Sequence, residues 1–115
     1  MKTVIYHNPM CSKSREALNL LKQGTDEIEV IEYLKEKPSV AQLQELVTLL
    51  GVNPEVLVRK SEVIYKDLFK GQALSDAQWI QAMADHPQLI ERPIIIRGNR
   101  AVIGRPVERV IELLK

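Results

Sequence analysis

The chain has 115 residues, a length that suits one domain with its own hydrophobic core. Its formal net charge of +1 argues against strong non-specific binding to nucleic acid, and no apolar run is long enough to cross a membrane. A single cysteine excludes an internal disulfide and favours a reducing compartment. We therefore expect one cytoplasmic domain that spans residues 1–115.

The first third of the chain predicts a β-α-β unit. Residues 2–7 (KTVIYH) form a short apolar run rich in β-formers. Residues 8–24 then predict a turn at Asn8-Pro9 that leads into a helix, with Gly24 suited to its C-terminal cap. Residues 27–33 (EIEVIEY) predict a second strand with apolar side chains on both faces.

The middle of the chain predicts helices joined by short turns. The clearest covers residues 38–51, because Ser39 and Gln42 make a capping box and Gly51 closes the apolar repeat. A helical turn that carries Arg59 is predicted to open at Asn53-Pro54, and a further helix is predicted over residues 61–69. A third helix is predicted over residues 75–86, where Ser75 and Gln78 repeat the capping box. Trp79 and Met83 of that helix are predicted to face the core.

The last quarter predicts a β-hairpin and a final helix. Residues 92–104 hold two apolar runs around Gly98-Asn99, a two-residue turn signal. The apolar side of the helix over residues 105–115 is predicted to carry Val107, Val110, Ile111 and Leu114. This order of elements fits an α/β fold of the thioredoxin-like type, a mixed four-stranded sheet flanked by helices. A helical block is inserted between the N-terminal β-α-β and C-terminal β-β-α units.

Cys11 is the residue whose position most strongly suggests chemistry. It precedes a predicted helix, where backbone N–H groups lack intrahelical partners and can stabilise a thiolate. Lowering a thiol pKa from about 8.5 to roughly 6.5 requires about 2.7 kcal/mol, whereas a helix terminus supplies about 0.3–1 kcal/mol and at most roughly 2. A nearby cation should therefore contribute, and His7 is one candidate. The alternatives are that Cys11 is a buried, inert thiol and that His7 only caps the end of a strand.

Two Arg-Pro pairs flank the predicted hairpin, Arg92-Pro93 before it and Arg105-Pro106 after it. They lie in a basic segment, since residues 91–115 carry five arginines and Lys115 against three glutamates, which gives +3. Guanidinium groups held beside a proline suit a small oxyanion, although two solvated surface arginines are the simpler interpretation. A cis peptide bond is plausible before Pro93. The sequence shows no metal-ligand spacing, no glycine-rich phosphate loop and no Ser-His-Asp set.

Four segments together resemble the ArsC family of thioredoxin-like arsenate reductases. They are YHNPMCSKSRE at 6–16, LVRK at 57–60, HPQLIERPIII at 86–96 and IGRP at 103–106. The resemblance runs nearly end to end and is closer to a shorter, YfgD-like branch of the family than to the members that continue beyond the final helix.

The resemblance implies a role for each matching residue. Cys11 corresponds to the nucleophile and His7 and Ser14 to the residues that support its thiolate. The three oxyanion-binding arginines correspond to Arg59, Arg92 and Arg105, and the cis proline that faces the thiol corresponds to Pro93.

The resemblance also implies the reaction. The thiolate attacks arsenate, glutathione as co-substrate displaces the arsenic, arsenite leaves, and glutaredoxin recycles the protein–glutathione mixed disulfide, which is a route to arsenical resistance. No metal, no bound cofactor, and no nucleic-acid or membrane partner is expected.

Two alternative functions use the same features. A thiol-dependent reductase of another oxyanion or of glutathione mixed disulfides is the first, because Ser12-Lys13 stands where the family commonly has Gly-Thr. An Spx-type regulator that binds RNA polymerase is the second. Those regulators usually carry a CxxC switch, whereas the position three after Cys11 is Ser14.

Overall fold

The computed structural model describes all 115 residues. Its strands are β1 (Lys2–Tyr6), β2 (Glu27–Ile31), β3 (Ile94–Arg97) and β4 (Arg100–Ile103). Its helices are α1 (Ser12–Lys22), α2 (Val40–Leu50), α3 (Val63–Leu68), α4 (Asp76–Asp85) and α5 (Glu108–Leu114), and short 3₁₀ turns cover Pro54–Leu57 and Pro87–Leu89. None of these helices has the length and apolar character needed to cross a membrane.

The chain folds as two compact units. The first, called the sheet unit below, joins Met1–Glu36 to Arg92–Lys115. The second, called the helical unit, is Lys37–Glu91. The helical unit therefore corresponds to the block that was predicted between the β-α-β and β-β-α segments.

The sheet unit contains one four-stranded sheet in the order β2-β1-β3-β4. The central strand β1 runs parallel to β2 and antiparallel to β3, and β3 pairs antiparallel with β4. Helix α1 makes the crossover that two parallel strands require. The predicted mixed sheet of the thioredoxin-like type is confirmed.

The core of the sheet unit combines residues of the sheet with residues of α1 and α5. Its buried members are Ile5, Ala17, Leu21, Ile95, Val110 and Leu113. The predicted apolar side of α5 is wrong in one respect, because Ile111 is 43% exposed and Leu113 is buried. Val110 and Leu113 lie three positions apart on α5, so both face the same side of the helix.

The main helices of the helical unit have the caps that the sequence predicted. Ser39 Oγ accepts from the Gln42 N–H at 3.1 Å, and Ser75 Oγ accepts from the Gln78 N–H at 3.2 Å. Helix α2 stops at Gly51, whose φ of +67° lies in the left-handed region that favours glycine. The largest buried side chains of this unit include Leu43, Leu46, Leu57, Trp79 and Met83.

Two predictions about helix ends are wrong. Gly24 is not a left-handed cap, because α1 is capped by Gln23 at φ −79° and the Gly24 N–H bonds back to the Leu21 carbonyl at 3.1 Å. The turn after Asn53 is a 3₁₀ turn that ends at Leu57, so Arg59 lies beyond it. The chain is extended there because Val58 forms an antiparallel bridge with Ile90.

Two shorter elements also differ from expectation. Helix α3 covers Val63–Leu68 instead of residues 61–69 and has no buried residue. Strand β2 stops at Ile31, and Val30 is 40% exposed. Strand β2 is one of the two edge strands of the sheet, and none of its residues is buried.

Asp26 connects three segments of the sheet unit. Its Oδ2 accepts hydrogen bonds from the Arg97 Nε–H and the Thr3 hydroxyl, both at 2.7 Å, and the side chain is 13% exposed. The hydrogen bond from Arg97, followed by that from Thr3, lowers the pKa of Asp26 from 3.8 to about 2 against the opposing effect of burial. The folded state therefore favours the ionised carboxylate.

We expect Asp26→Asn to lower the urea midpoint at neutral pH, because an amide cannot form the ion pair with Arg97. A depressed carboxyl pKa contributes stability that is present above 3.8 and is lost as the pH falls through about 2. The midpoints of wild type and variant should therefore converge over that range, as measured by circular dichroism. Asp67→Asn, at an exposed position of α3, is the control. A difference that stays constant with pH would contradict the prediction.

Candidate active site

Cys11 lies at the junction between β1 and α1. It is the N-cap residue of α1, with φ −97° and ψ 122°, and its N–H donates to the Asn8 carbonyl at 3.0 Å. The residue is partly exposed. The Asn8-Pro9 turn thus places the thiol at the first turn of a helix, where the backbone N–H groups have no intrahelical partners.

Two arginines act on the Cys11 sulfur. Arg105 Nη2 donates to Sγ at 3.4 Å. Burial alone would raise the pKa of Cys11, but the Ser14 N–H, the charge and hydrogen bond of Arg92, and the Lys13 N–H together lower it below the ordinary thiol value. The sulfur is therefore both accessible and more easily ionised than an ordinary thiol.

The two Arg-Pro segments lie against each other in the sheet unit. Arg105 Nε donates to the Arg92 carbonyl at 2.8 Å, and the Gly104 N–H donates to the Pro93 carbonyl at 2.8 Å. A Cβ at Gly104 would lie 3.0 Å from Pro93 and 3.1 Å from Val110, which only glycine avoids. The peptide bonds before Pro93 and Pro106 are both cis; the resemblance had suggested only the first.

His7 and Ser14 form a buried pair beside the loop that carries Cys11. His7 Nδ1 lies 2.6 Å from Ser14 Oγ, and the Asn8 N–H donates to the same oxygen at 3.0 Å. Because Ser14 Oγ accepts from Asn8, its hydroxyl hydrogen is available to His7 Nδ1. Ser14 is fully buried, and its own N–H is one of the groups that lower the pKa of Cys11.

The structure does not support His7 as the cation that stabilises the thiolate. Burial lowers the pKa of His7, and the charges of Lys22 and Arg15 act in the same direction against that of Glu32. A histidine with a lowered pKa is neutral at pH 7. The positive charge beside the sulfur comes instead from Arg92, with Arg105 as a hydrogen-bond donor.

Arg59 lies in the helical unit. Its Nη1 pairs with Glu62 Oε2 at 3.0 Å, and its backbone N–H donates to the Leu89 carbonyl at 2.6 Å. Its side chain is 28% exposed. Its part in binding the oxyanion stays a prediction from the resemblance.

Sequence reasoning missed how much Asn8 contributes to this loop. Its side-chain Oδ1 accepts the Met10 N–H, its carbonyl accepts the Cys11 N–H and its N–H reaches Ser14, each at 3.0 Å. Arg15 Nη1 also donates to the Pro9 carbonyl at 2.8 Å. Asparagine before proline is a turn signal because its side chain bonds the backbone two residues on, so the sequence did contain the clue.

The side chains around Cys11 suit nucleophilic attack on a small oxyanion. A thiolate supplies the electron pair, and the guanidinium groups of Arg92 and Arg105 offer N–H donors in the planar geometry that oxyanions accept. No group of three or more His, Cys, Asp and Glu side chains is arranged to hold a metal ion.

We expect Cys11 to react with iodoacetamide at a lower pH than an ordinary thiol does. The rate should rise with pH to a midpoint below the value of about 8.5 for an unperturbed cysteine, because the alkylated species is the thiolate. Mass spectrometry of the intact protein reports this residue alone, since the chain has one cysteine. A midpoint at or above about 8.5 would contradict an activated thiolate.

Comparison with known proteins finds close relatives over the whole chain. The model of the ArsC family matches residues 6–113. A protein of Escherichia coli (strain K12) named uncharacterized protein YfgD is 48% identical over 112 residues, which cover 96% of this chain and 94% of the relative. An arsenate reductase of Haemophilus influenzae is 42% identical over 116 residues, which cover 99% of this chain and 100% of the relative. The solved structure of an arsenate reductase from Vibrio cholerae superposes with a TM-score of 0.92 and 48% identity over 97% of each chain.

Proposed function

Because the chain belongs to the ArsC family, we propose that it is an arsenate reductase that uses glutathione and glutaredoxin as its reductants. The observation that carries this proposal is the hydrogen bond of 3.4 Å from Arg105 Nη2 to the sulfur of the single cysteine. Relatives from Haemophilus influenzae and Vibrio cholerae that match nearly the whole chain are named arsenate reductases, which supports arsenate as the oxyanion.

Arsenate fits a site with one thiolate and guanidinium donors. It is a tetrahedral oxyanion, so two of its oxygens can accept a pair of parallel N–H bonds from Arg92 or Arg105 while arsenic faces the sulfur. Neutralising the oxygens makes arsenic more electrophilic, and the lowered pKa of Cys11 increases the fraction of thiolate at neutral pH.

The first proposed step forms a bond between Cys11 Sγ and arsenic. The thiolate attacks As(V), and one arsenate oxygen leaves as water after it takes up two protons. No electrons change hands between sulfur and arsenic at this point. The N–H groups of Lys13 and Ser14 and the charge of Arg92 stabilise the reacting thiolate.

The second proposed step transfers the electrons. The glutathione thiolate attacks Cys11 Sγ, the sulfur–arsenic bond breaks, and its electron pair stays with arsenic, which becomes As(III) and leaves as arsenite. Cys11 is left in a mixed disulfide with glutathione. A glutaredoxin thiol then attacks the glutathione sulfur and releases the Cys11 thiolate.

An external reductant follows from the cysteine content. The chain has one cysteine, so the thiol that resolves the Cys11 adduct comes from another molecule. Glutathione and glutaredoxin are the reductants of the family that the sequence resembles. Since thiols are kept reduced in the cytoplasm, we place the reaction there.

The remaining residues take supporting roles in this proposal. Ser14 and His7 hold the loop so that the Ser14 N–H faces the thiol, and they are positioning residues. Arg59 is proposed as a third arginine for the oxyanion, on the strength of its match to the family alone.

The test is a coupled assay with glutathione, glutaredoxin, glutathione reductase and NADPH. We expect NADPH oxidation that depends on both arsenate and this protein, with arsenite as the product. Absence of an arsenate-dependent rate would contradict the substrate, even where Cys11 reacts with iodoacetamide. Activity of this protein on a glutathione mixed disulfide, measured without arsenate and without glutaredoxin, would identify the alternative reductase.

A further inference from the structure

The sheet unit contains a cavity at the start of β1, at the opposite end of that strand from Cys11. Cys11 follows the last residue of β1, whereas the cavity is lined by Thr3 near its first residue. Its volume is about 150 Å³. An engineered cavity of about this volume in another protein binds benzene, so a molecule of at least six heavy atoms fits.

The cavity wall combines apolar and charged side chains. Leu21 near the end of α1, Ile28 on β2 and Leu114 at the end of α5 form its apolar part. Asp26 and Arg97 contribute one negative and one positive charge, which are 13% and 21% exposed. A concave apolar wall with a few convergent polar groups is the usual composition of a small-molecule site.

The two charged groups use only part of their bonding capacity on each other. Arg97 donates to Asp26 Oδ2 through Nε, and no hydrogen bond within the chain involves its two terminal nitrogens. The other carboxylate oxygen, Asp26 Oδ1, has the N-terminal ammonium at 3.9 Å, which is too long for a hydrogen bond. The terminal nitrogens of Arg97 therefore remain available beside the apolar wall, and Asp26 Oδ1 has an ion-pair partner in the half-exposed N-terminal ammonium but accepts no hydrogen bond.

We propose that this cavity binds a free aliphatic amino acid in its zwitterionic form. The carboxylate of the ligand pairs with the terminal nitrogens of Arg97, and its ammonium group replaces the N-terminal ammonium at Asp26 Oδ1 and donates a hydrogen bond there. The aliphatic side chain packs against Leu21, Ile28 and Leu114.

A ligand with only one of the two charges fits this wall less well. A simple carboxylate leaves Asp26 Oδ1 without a hydrogen bond, and a simple amine leaves the terminal nitrogens of Arg97 without one. Losing one charge-assisted hydrogen bond reduces affinity about tenfold or more. The charge arrangement therefore favours the zwitterion over a ligand that has only a carboxylate or only an ammonium group.

The test is a titration of the ¹⁵N-labelled protein with L-valine, followed by ¹H–¹⁵N correlation spectra. We expect saturable shifts at Thr25, Asp26 and Ile28 with a Kd on the order of 1 mM, as is usual for so small a ligand. Isobutylamine and isobutyrate, titrated separately, should bind at least about tenfold more weakly. This readout needs neither arsenate nor Cys11, so it does not depend on the proposed function.

Two variants test the assignment of the cavity. Leu114→Phe fills it and should abolish the shifts, whereas Leu34→Phe, at a side chain that is 41% exposed, should leave the Kd unchanged. Arg97→Lys keeps the charge beside Asp26 but removes the terminal nitrogen pair, and should weaken valine about tenfold. The proposal is overturned if valine shows no saturable binding, if isobutyrate binds as tightly as valine, or if folded Leu114→Phe keeps the wild-type Kd.

Discussion

Cys11→Ser is expected to lose all arsenate-dependent NADPH oxidation in the coupled assay with glutathione and glutaredoxin. A serine hydroxyl stays protonated at neutral pH and cannot form or break the sulfur–arsenic bond, so the loss should exceed about 10³-fold. The chain has no second cysteine to take over the reaction. The rate is measured at saturating arsenate, and circular dichroism checks that the variant is folded.

A second measurement on the same variant identifies the adduct. Wild-type protein incubated with arsenate and glutathione, without glutaredoxin, should accumulate a mixed disulfide with glutathione that intact-mass spectrometry detects. Cys11→Ser should show none, and adding glutaredoxin to the wild type should remove it. A residual arsenate-dependent rate in Cys11→Ser would rule out a covalent role for the thiol.

Arg92→Gln is expected to have the second largest effect, because it changes both the nucleophile and the oxyanion site. Removing a positive charge beside the sulfur should raise the iodoacetamide midpoint of Cys11, because Arg92 lowers the pKa of that thiol. Losing a charged donor to the oxyanion should lower kcat/KM for arsenate by about 10²-fold or more. Both quantities are measured on the same preparation.

Two further variants separate charge from geometry. Arg92→Lys keeps the charge but loses the planar fork, so its alkylation midpoint should stay low while the KM for arsenate rises. Arg109→Gln makes the same charge change at an exposed position of α5 and should leave both quantities near wild type. An Arg92→Gln variant that is folded and keeps the wild-type kcat/KM would contradict the assignment. Equal loss of alkylation and of arsenate reduction would indicate a folding defect.

Local signals in the sequence were enough to predict most of the elements. The capping boxes at Ser39 and Ser75 and the turn at Gly98 depend on bonds or backbone angles within a few residues, so they could be predicted without the tertiary fold. Element ends were less predictable. Val58 is extended because of its pairing with Ile90, a partner 32 positions away that no local pattern indicates.

In the candidate site, too, the local features could be predicted from the sequence and the long-range contacts could not. Cys11 and the Asn8-Pro9 turn lie next to each other in the chain, and their arrangement at the start of α1 follows from the order of strand, turn and helix. His7 was one candidate for the cation, and the structure does not support it because burial, which depends on the tertiary fold, lowers its pKa. Arg105 reaches Cys11 across 94 positions of sequence; residue chemistry suggested only that it suits an oxyanion, and the motif match assigned it to the same site as the thiol.

The sequence by itself determined the order of strands and helices, the thiol at a helix start, and the lack of a second cysteine, because each depends on neighbouring residues or on composition. Only the tertiary structure decided which charge stabilises the thiol and that Asp26 and Arg97 meet beside a cavity. Those facts depend on groups that are distant in the chain, and their energies change with burial and with separations of a few ångströms.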